Sequence, residues 1–181
     1  QRQMCIRDRL NENVIRLRLR VEKSFKARAG QYVTLWRNSH CARSYSIASV
    51  PAHDDFLEFH IRHYKEGLFS DWLYQNVDVG DTLMLQGPLG TCSYDDSERN
   101  ADLLMCASGT GLAPIYGIVQ DALLHQHDGR IDIVVAARDV TQLYLVKELL
   151  ELTKSYLNVV VTWVIQSLDK TAEQIALLNV N

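Results

Sequence analysis

The sequence predicts a β + α/β chain: a small antiparallel barrel or sandwich over residues 10–97, followed by a parallel-sheet α/β domain over residues 101–181. Three observations carry this. Short alternations of apolar and polar residues recur between turn residues from Leu10 to Gly90, the pattern of a compact all-β unit. A polar run, Asp95-Asp96-Ser97-Glu98-Arg99-Asn100, then interrupts the apolar pattern and reads as a linker. Beyond it, continuous apolar segments alternate with helix-length ones, which implies βαβ units, a parallel sheet and right-handed crossovers.

The elements follow in order. Val14, Leu17, Leu19 and Val21 stand among Arg16, Arg18 and Arg20, close to the alternation of a half-buried strand. Gly30 marks a turn before a strand at Gln31–Trp36, and Arg43–Ala48 forms another that Pro51 stops. Phe56–His63 alternates well, with Leu57, Phe59 and Ile61 on one face and Glu58, His60 and Arg62 on the other. Gly67 breaks the chain, and Ser70–Asn76 reads as a short helix. After the Gly80-Asp81 turn, Thr82–Gln86 is a strand closed by Gly87-Pro88 and Gly90. In the second half, strands are predicted at Leu103–Ala107, Ile131–Ala137 and Val159–Ile165, with helices from Pro114 to His127 and from Thr141 to Lys154.

Composition narrows the functional classes. Of 181 residues, 47% are hydrophobic and 23% charged, ordinary values for a folded domain and unlike a disordered tail. The net charge of −3 lacks the basic excess of a nucleic-acid binder, and no stretch approaches the roughly 20 apolar residues of a membrane span. Cys5, Cys41, Cys92 and Cys106 are too widely spaced for a zinc knuckle or an iron–sulfur loop. With no recognisable leader, a soluble protein of the reducing cytoplasm is the expectation. Gln1 to Arg9 shows neither helical nor strand periodicity and resembles a translated sequencing adapter, so it is expected to lie outside the fold.

Four motifs offer chemistry. Gly109-Thr110-Gly111-Leu112-Ala113-Pro114 follows a predicted strand and opens a helix. Its glycines allow close backbone approach, and the helix start presents free amides and about half a positive charge to a phosphate. Pro114 suits a first helical turn, and it replaces the third glycine of the common dinucleotide fingerprint. In Arg43-Ser44-Tyr45-Ser46, a strand places Arg43 and Tyr45 on one face, where a guanidinium can fork onto phosphate and a ring can stack on a flat heterocycle. An ordinary amphipathic strand with a solvated Arg reads equally well at this point. Gly67-Leu68-Phe69-Ser70 is a second helix start, for phosphate or for nothing more than a surface cap. Gly87-Pro88-Leu89-Gly90 closes a strand.

In this order and placement the four motifs resemble the ferredoxin–NADP reductase superfamily, flavin- and pyridine-nucleotide-dependent oxidoreductases, from Leu10 to Gln166. The resemblance implies an antiparallel Greek-key flavin-binding barrel followed by an NAD(P)-binding domain. It implies that Arg43 binds the flavin's phosphate region, that Tyr45 stacks on the isoalloxazine, and that Ser46 hydrogen-bonds near the nitrogen receiving hydride. It further implies that Gly67, Leu68, Phe69 and Ser70 form the diphosphate-binding helix start, and that the backbone of His60, Ile61 and Arg62 touches the flavin. Gly109, Thr110, Gly111, Ala113 and Pro114 match the family's G-T-G-x-A-P loop for the nicotinamide nucleotide, and Gly87, Pro88 and Gly90 match its G-P-x-G. The implied cofactors are FAD, given a second phosphate site beyond Arg43, and NADPH or NADH. The implied partner is an electron-acceptor protein or a fused 2Fe–2S ferredoxin domain, because Leu57 through Thr91 resembles reductases that carry one. A stand-alone reductase is the rival within the class, and a flavin- or nucleotide-binding module without activity is the rival outside it.

The sequence departs from the family in two places. The family's final strand–helix–strand region, with its Cys-Gly motif, has no counterpart after Leu168–Asn181, so a fragment with an uncovered sheet edge or face is expected. After the second parallel strand, Arg138 favours NADP and the adjacent Asp139 favours NAD, leaving a slight lean to NADP. His60 and His63 fall on opposite strand faces, which argues against a shared metal. His125 and His127 are expected to be solvated, Cys106 and the tryptophans Trp36, Trp72 and Trp163 to be packing residues, and Lys147, Glu148, Glu151 and Lys154 to form a solvated helix face.

Overall fold

Alternation along the first half folds into one curled antiparallel sheet. The computed structural model describes residues 2–21 and 24–166. Its first domain contains β1 (Arg2–Asn11), β2 (Val14–Arg20), β3 (Tyr32–Asn38), β4 (Cys41–Ser46), β5 (Phe56–Arg62), α1 (Ser70–Asn76) and β6 (Thr82–Leu89). The strand order is β4-β3-β6-β1-β2-β5, every pair is antiparallel, and the outer strands β4 and β5 curl into contact. Leu17, Leu19, Val33, Leu35, Leu57, Phe59 and Ile61 point inward and are fully buried, joined by Phe69 and Leu73 from the α1 region. Each such side chain contributes about 1.5–3 kcal/mol of transfer free energy.

The expectation that residues 1–9 stand outside the fold is corrected. β1 is a strand between β2 and β6, and Met4 is buried in the core. Its apolar alternation is interrupted by charged residues, of which Asp8 pairs directly with Arg16 on the exposed face of the ladder, Arg16 Nε donating to Oδ1 at 2.8 Å.

The second domain is β7 (Leu103–Ser108), a 3-10 turn (Gly109–Gly111), α2 (Leu112–Leu124), β8 (Ile131–Ala137), a 3-10 turn (Val140–Gln142), α3 (Val146–Ser155) and β9 (Val159–Ile165). The strands run parallel in the order β7-β8-β9. The predicted helix from Thr141 to Lys154 is two pieces. Asp139 Oδ1 accepts from the Thr141 amide at 2.9 Å and caps the 3-10 turn, and Leu145 takes a left-handed φ of 58° before α3. Leu143, Tyr144 and Leu145 are all buried, so tertiary burial overrides helix continuity here.

One sheet face packs on the helices through Ile131, Ile133, Val135 and Val159. On the other, among the described residues, Leu104, Val160 and Val164 lie open. Cys106 shares this face and is exposed, which corrects its expected place in the core; Cys41, Cys92 and Cys106 are free thiols. Leu168 to Asn181 lies outside the described residues. No helix among the described residues is long and apolar enough to cross a membrane.

The domains meet along α2. Gly117 lies against the backbone that follows β4: a Cβ there would sit 3.0 Å from the carbonyl carbon and oxygen of Ala48. Asn11 Nδ2 donates to the Leu143 carbonyl at 3.1 Å. Within the linker Tyr94 is buried, its hydroxyl 3.0 Å from His127 Nδ1. His127 is therefore a buried anchor, contrary to its expected solvation, whereas the His125 side chain is 45% exposed beside Asp121.

Candidate functional site

Three of the four motifs converge on one cleft of about 340 Å³ between the domains. β4 supplies Arg43, Ser44 and Tyr45, the end of β5 supplies Arg62 and Tyr64, the turn before α1 supplies Gly67 to Ser70, and the second domain supplies Thr110. Grooves of about 800 and 810 Å³ on the barrel are larger, but neither gathers residues from both domains. Convergence of unlike groups from separate segments is the better mark of a site than volume.

Each wall has a local cause. Tyr45 leaves the strand half-buried with its ring centroid 5.6 Å from that of Phe69, and burial pushes its hydroxyl up to about 12, so it is a neutral ring and donor. Arg43 is exposed, lines the cleft and donates from one terminal nitrogen to the Ala42 carbonyl at 2.7 Å. Gly67 is required by crowding: a Cβ would lie 2.8 Å from Ser70 Oγ and 2.9 Å from the Tyr64 carbonyl. Ser70 Oγ accepts from the Tyr64 amide at 3.0 Å, so this hydroxyl shapes the turn and offers little to a ligand. Arg37 donates to the Leu68 carbonyl at 2.7 Å, which turns that peptide and fixes the loop from outside.

Across the cleft, Gly109 has a φ of 53°, which glycine adopts without strain, and a Cβ there would come 3.6 Å from an Arg62 terminal nitrogen. Above Gly111 there is open space, as a bound group needs. Ala113 is buried in the first turn of α2, and Pro114 sits in the same turn, where the amide it lacks would have had no intrahelical acceptor.

Other predicted residues are placed differently. Ser46 is half-buried opposite Tyr32 in the β3–β4 ladder, beside the cleft and outside its lining. Ile61 is core and His60 is buried facing the second domain, so from that triplet only the Arg62 side chain reaches the cleft and residues 60 and 61 have only backbone to give. Gly87 and Pro88 lie within β6 rather than closing it. Arg138 is exposed after β8, while both carboxylate oxygens of Asp139 are engaged, by Thr141 and by Gln142 Nε2 at 3.0 Å. Sequence reasoning missed Tyr64, whose ring lies 5.8 Å under the Arg62 guanidinium; an aromatic just past a strand end was the available signal.

The cleft suits a flat heterocycle carrying phosphates. Aromatic faces at Tyr45 and Tyr64, guanidinium groups at Arg43 and Arg62, and glycine turns at 67 and 109–111 supply stacking, charge and amides. A barrel with such a cleft, followed by a parallel-sheet domain whose glycine loop faces it, defines a two-domain flavin and nicotinamide-nucleotide oxidoreductase.

Comparison with known proteins gives the same class. Residues 3–94 match the oxidoreductase FAD-binding domain family and residues 104–177 match the oxidoreductase NAD-binding domain family. The chain belongs to the ferredoxin–NADP reductase superfamily, with FAD and a nicotinamide nucleotide as its cofactors. It is 35% identical over 153 residues to the ferredoxin–NAD(P)(+) reductase component of the naphthalene 1,2-dioxygenase system of Pseudomonas putida, covering 84% of this chain and 46% of that protein. It is 35% identical over 133 residues to a terephthalate 1,2-dioxygenase reductase component of Comamonas, covering 74% and 39%. The chain thus spans about half the length, or less, of these curated relatives. The cytochrome P450 reductase of Amycolatopsis superposes with a TM-score of 0.81 at 26% identity, covering 91% of this chain and 50% of that one. Ferredoxin–NADP+ reductase of Plasmodium falciparum shares the fold with a TM-score of 0.82 at 21% identity, covering 93% and 71%.

Proposed function

We propose that the chain is the flavin and nucleotide part of an NAD(P)H-dependent electron-transfer reductase that passes electrons to an iron–sulfur acceptor. The observation that carries this reading is the single cleft joining Arg43, Tyr45, Arg62 and the Gly67–Ser70 turn to Thr110 of the nucleotide domain. FAD supplies the redox chemistry, taking two electrons as hydride and releasing them one at a time. The residues bind, align and exclude water. Arg43 would neutralise the phosphate region with its guanidinium donors, and the amides of Leu68, Phe69 and Ser70, beyond the Gly67 amide that donates to the Tyr64 carbonyl, would hold the second phosphate. Tyr45 would present its ring to the isoalloxazine, and Ser46, beside the cleft at the end of the same strand, would supply a hydroxyl toward the flavin's hydride-accepting edge. The Gly109–Gly111 turn and the start of α2 would hold the nucleotide's pyrophosphate, with Thr110 on the side of the loop that lines the cleft.

Nucleotide choice follows from Arg138 and Asp139. The Asp139 carboxylate is taken up as a cap, which leaves Arg138 to meet a 2′-phosphate, so NADPH is the preferred donor. The acceptor is a ferredoxin, free or fused, because two of the relatives are named as ferredoxin–NAD(P)(+) reductase components of dioxygenase systems. Free Cys41, Cys92 and Cys106 suit a reducing compartment, and we place the protein in the cytoplasm. The test is NADPH-driven reduction of a plant-type 2Fe–2S ferredoxin by the FAD-loaded chain. Ferredoxin bleaching that requires both FAD and NADPH is the expected result; flavin reduction without ferredoxin reduction overturns the acceptor assignment.

A further inference from the structure

β5 carries Arg62 into the cleft, and two positions earlier on the same face it carries a buried polar cluster that electron transfer leaves without a task. Glu58 and His60 are 6% and 3% exposed. Arg18, the cross-strand partner of Glu58 in β2, donates from Nε to Oε2 at 2.5 Å, and His60 Nε2 lies 2.8 Å from Oε1. Burial by itself raises the Glu58 pKa, but hydrogen bonds and charge from His60 and Arg18 outweigh it and hold the carboxyl below its usual range. Arg16 and Glu148 stand at the rim of the small cleft above this cluster.

The His60 ring is the surface that meets the second domain. It lies edge-on to Tyr144, centroids 5.4 Å apart at 89°, and 6.4 Å from the Tyr116 ring. Tyr116 is in the second turn of α2, the helix that begins at the nucleotide loop, and Tyr144 is in the buried segment before α3. Nε2 of His60 is committed to Glu58; among the described residues, its Nδ1 and the Tyr144 hydroxyl are both buried without a hydrogen-bond partner. A buried carboxylate that orients an imidazole, whose ring then meets Tyr144 edge-to-face and Tyr116 at a tilt across a domain boundary, is a rigid spacer made of polar parts.

We propose that Glu58 and His60 are positioning residues: they hold α2, and with it the Gly109–Gly111 loop, at its working distance from the Arg43–Tyr45–Arg62 cleft. This rests on the reductase reading only for its kinetic consequence. Neither side chain lines the cleft, so the pair acts on alignment rather than on cofactor binding.

The test compares His60→Ala, His60→Phe and Glu58→Gln in the full FAD-loaded chain. His60→Ala removes the ring; His60→Phe keeps the edge contact without the carboxylate bond; Glu58→Gln keeps the shape and removes the charge. Amide hydrogen exchange reads the geometry directly. In His60→Ala, exchange across the first two turns of α2 and across residues 143–145 is expected to quicken about tenfold or more, while the barrel strands stay protected. The limiting rate of flavin reduction by NADPH is expected to fall about tenfold at unchanged NADPH Kd, since small misplacements cost rate steeply. His60→Phe recovers most of both effects, and Glu58→Gln falls between. Unchanged exchange in both His60→Ala and Glu58→Gln overturns the proposal, as does a loss of rate that tracks weakened FAD or NADPH binding alone. Should the parent chain show no reduction by NADPH, the reductase reading fails, and hydrogen exchange still decides the positioning claim.

Discussion

Replacing Gly117 with alanine sets two calculable effects against each other. An alanine Cβ would lie 3.0 Å from the Ala48 carbonyl carbon and oxygen and 3.1 Å from the Ile47 oxygen, all of them backbone atoms with little room to retreat. Comfortable carbon contacts begin near 3.5 Å, so α2 must move off the barrel by roughly half an ångström. Alanine gains about 1 kcal/mol of helix propensity over glycine, whereas forcing a methyl into a packed contact costs about 1–3 kcal/mol. The net is a destabilisation of roughly 0–2 kcal/mol, a fall in Tm of up to about 8 °C for a chain of this size. Function should suffer more than stability. A misplacement of about 1 Å can cost a hundredfold in rate, so half of that gives on the order of a tenfold loss in the limiting rate of flavin reduction. Thermal melting and anaerobic rapid mixing with NADPH measure the two quantities on the same protein. A raised Tm with an unchanged rate would refute the close approach of α2 to residues 47–48 as the spacer between the two cofactor sites.

Four further outcomes are expected. Arg43→Ala should raise the FAD Kd by about 10- to 100-fold, the loss of a charge-assisted phosphate contact of about 1.5–3 kcal/mol, read by flavin fluorescence titration; an unchanged Kd removes Arg43 from the phosphate site. Tyr94→Phe removes the hydrogen bond that the buried His127 ring makes among the described residues and should cost about 1–3 kcal/mol, seen as a lower Tm. Glu58 has a folded pKa below its unfolded value of about 4.3, so its stabilisation is complete above that value and is lost as pH falls through the folded pKa. Acid titration of the parent chain against Glu58→Gln should therefore show a flatter acid limb in the variant, and parallel limbs would contradict it. Arg138→Ala should raise the KM for NADPH while leaving that for NADH in place, and equal effects on both would remove Arg138 from nucleotide choice.

Much of the fold was legible because burial and period agreed. Leu57, Phe59 and Ile61 alternate against one core, and the strands Ile131–Ala137 and Val159–Ile165 and the helix Ser70–Asn76 fall where their patterns place them. What escaped was decided by a second partner. Period two separates the faces of β5 but does not tell solvent from another domain, so the pattern leaves open what the Glu58–His60 face meets, and in the fold both are buried with His60 against Tyr116 and Tyr144. His127 ends a helix, where solvation is the usual state, yet Tyr94 from the linker covers it. β1 lacks a clear apolar alternation of its own, and what places it is its pairing with β2 and β6, with Asp8 answered by Arg16 across the ladder. The site was readable as motifs. Their meeting in one cleft depends on the curl of the barrel sheet and on the seat of α2 against Ala48, which no local pattern records.

The central claim is that one cleft brings flavin and nicotinamide together on this chain. The visible absorption spectrum of the purified, FAD-supplemented protein, recorded anaerobically before and after NADPH and then NADH, tests it most directly. Flavin bands that bleach, faster with NADPH, are the predicted result. Absence of protein-bound flavin after added FAD, or bound flavin that neither nucleotide bleaches, would contradict it.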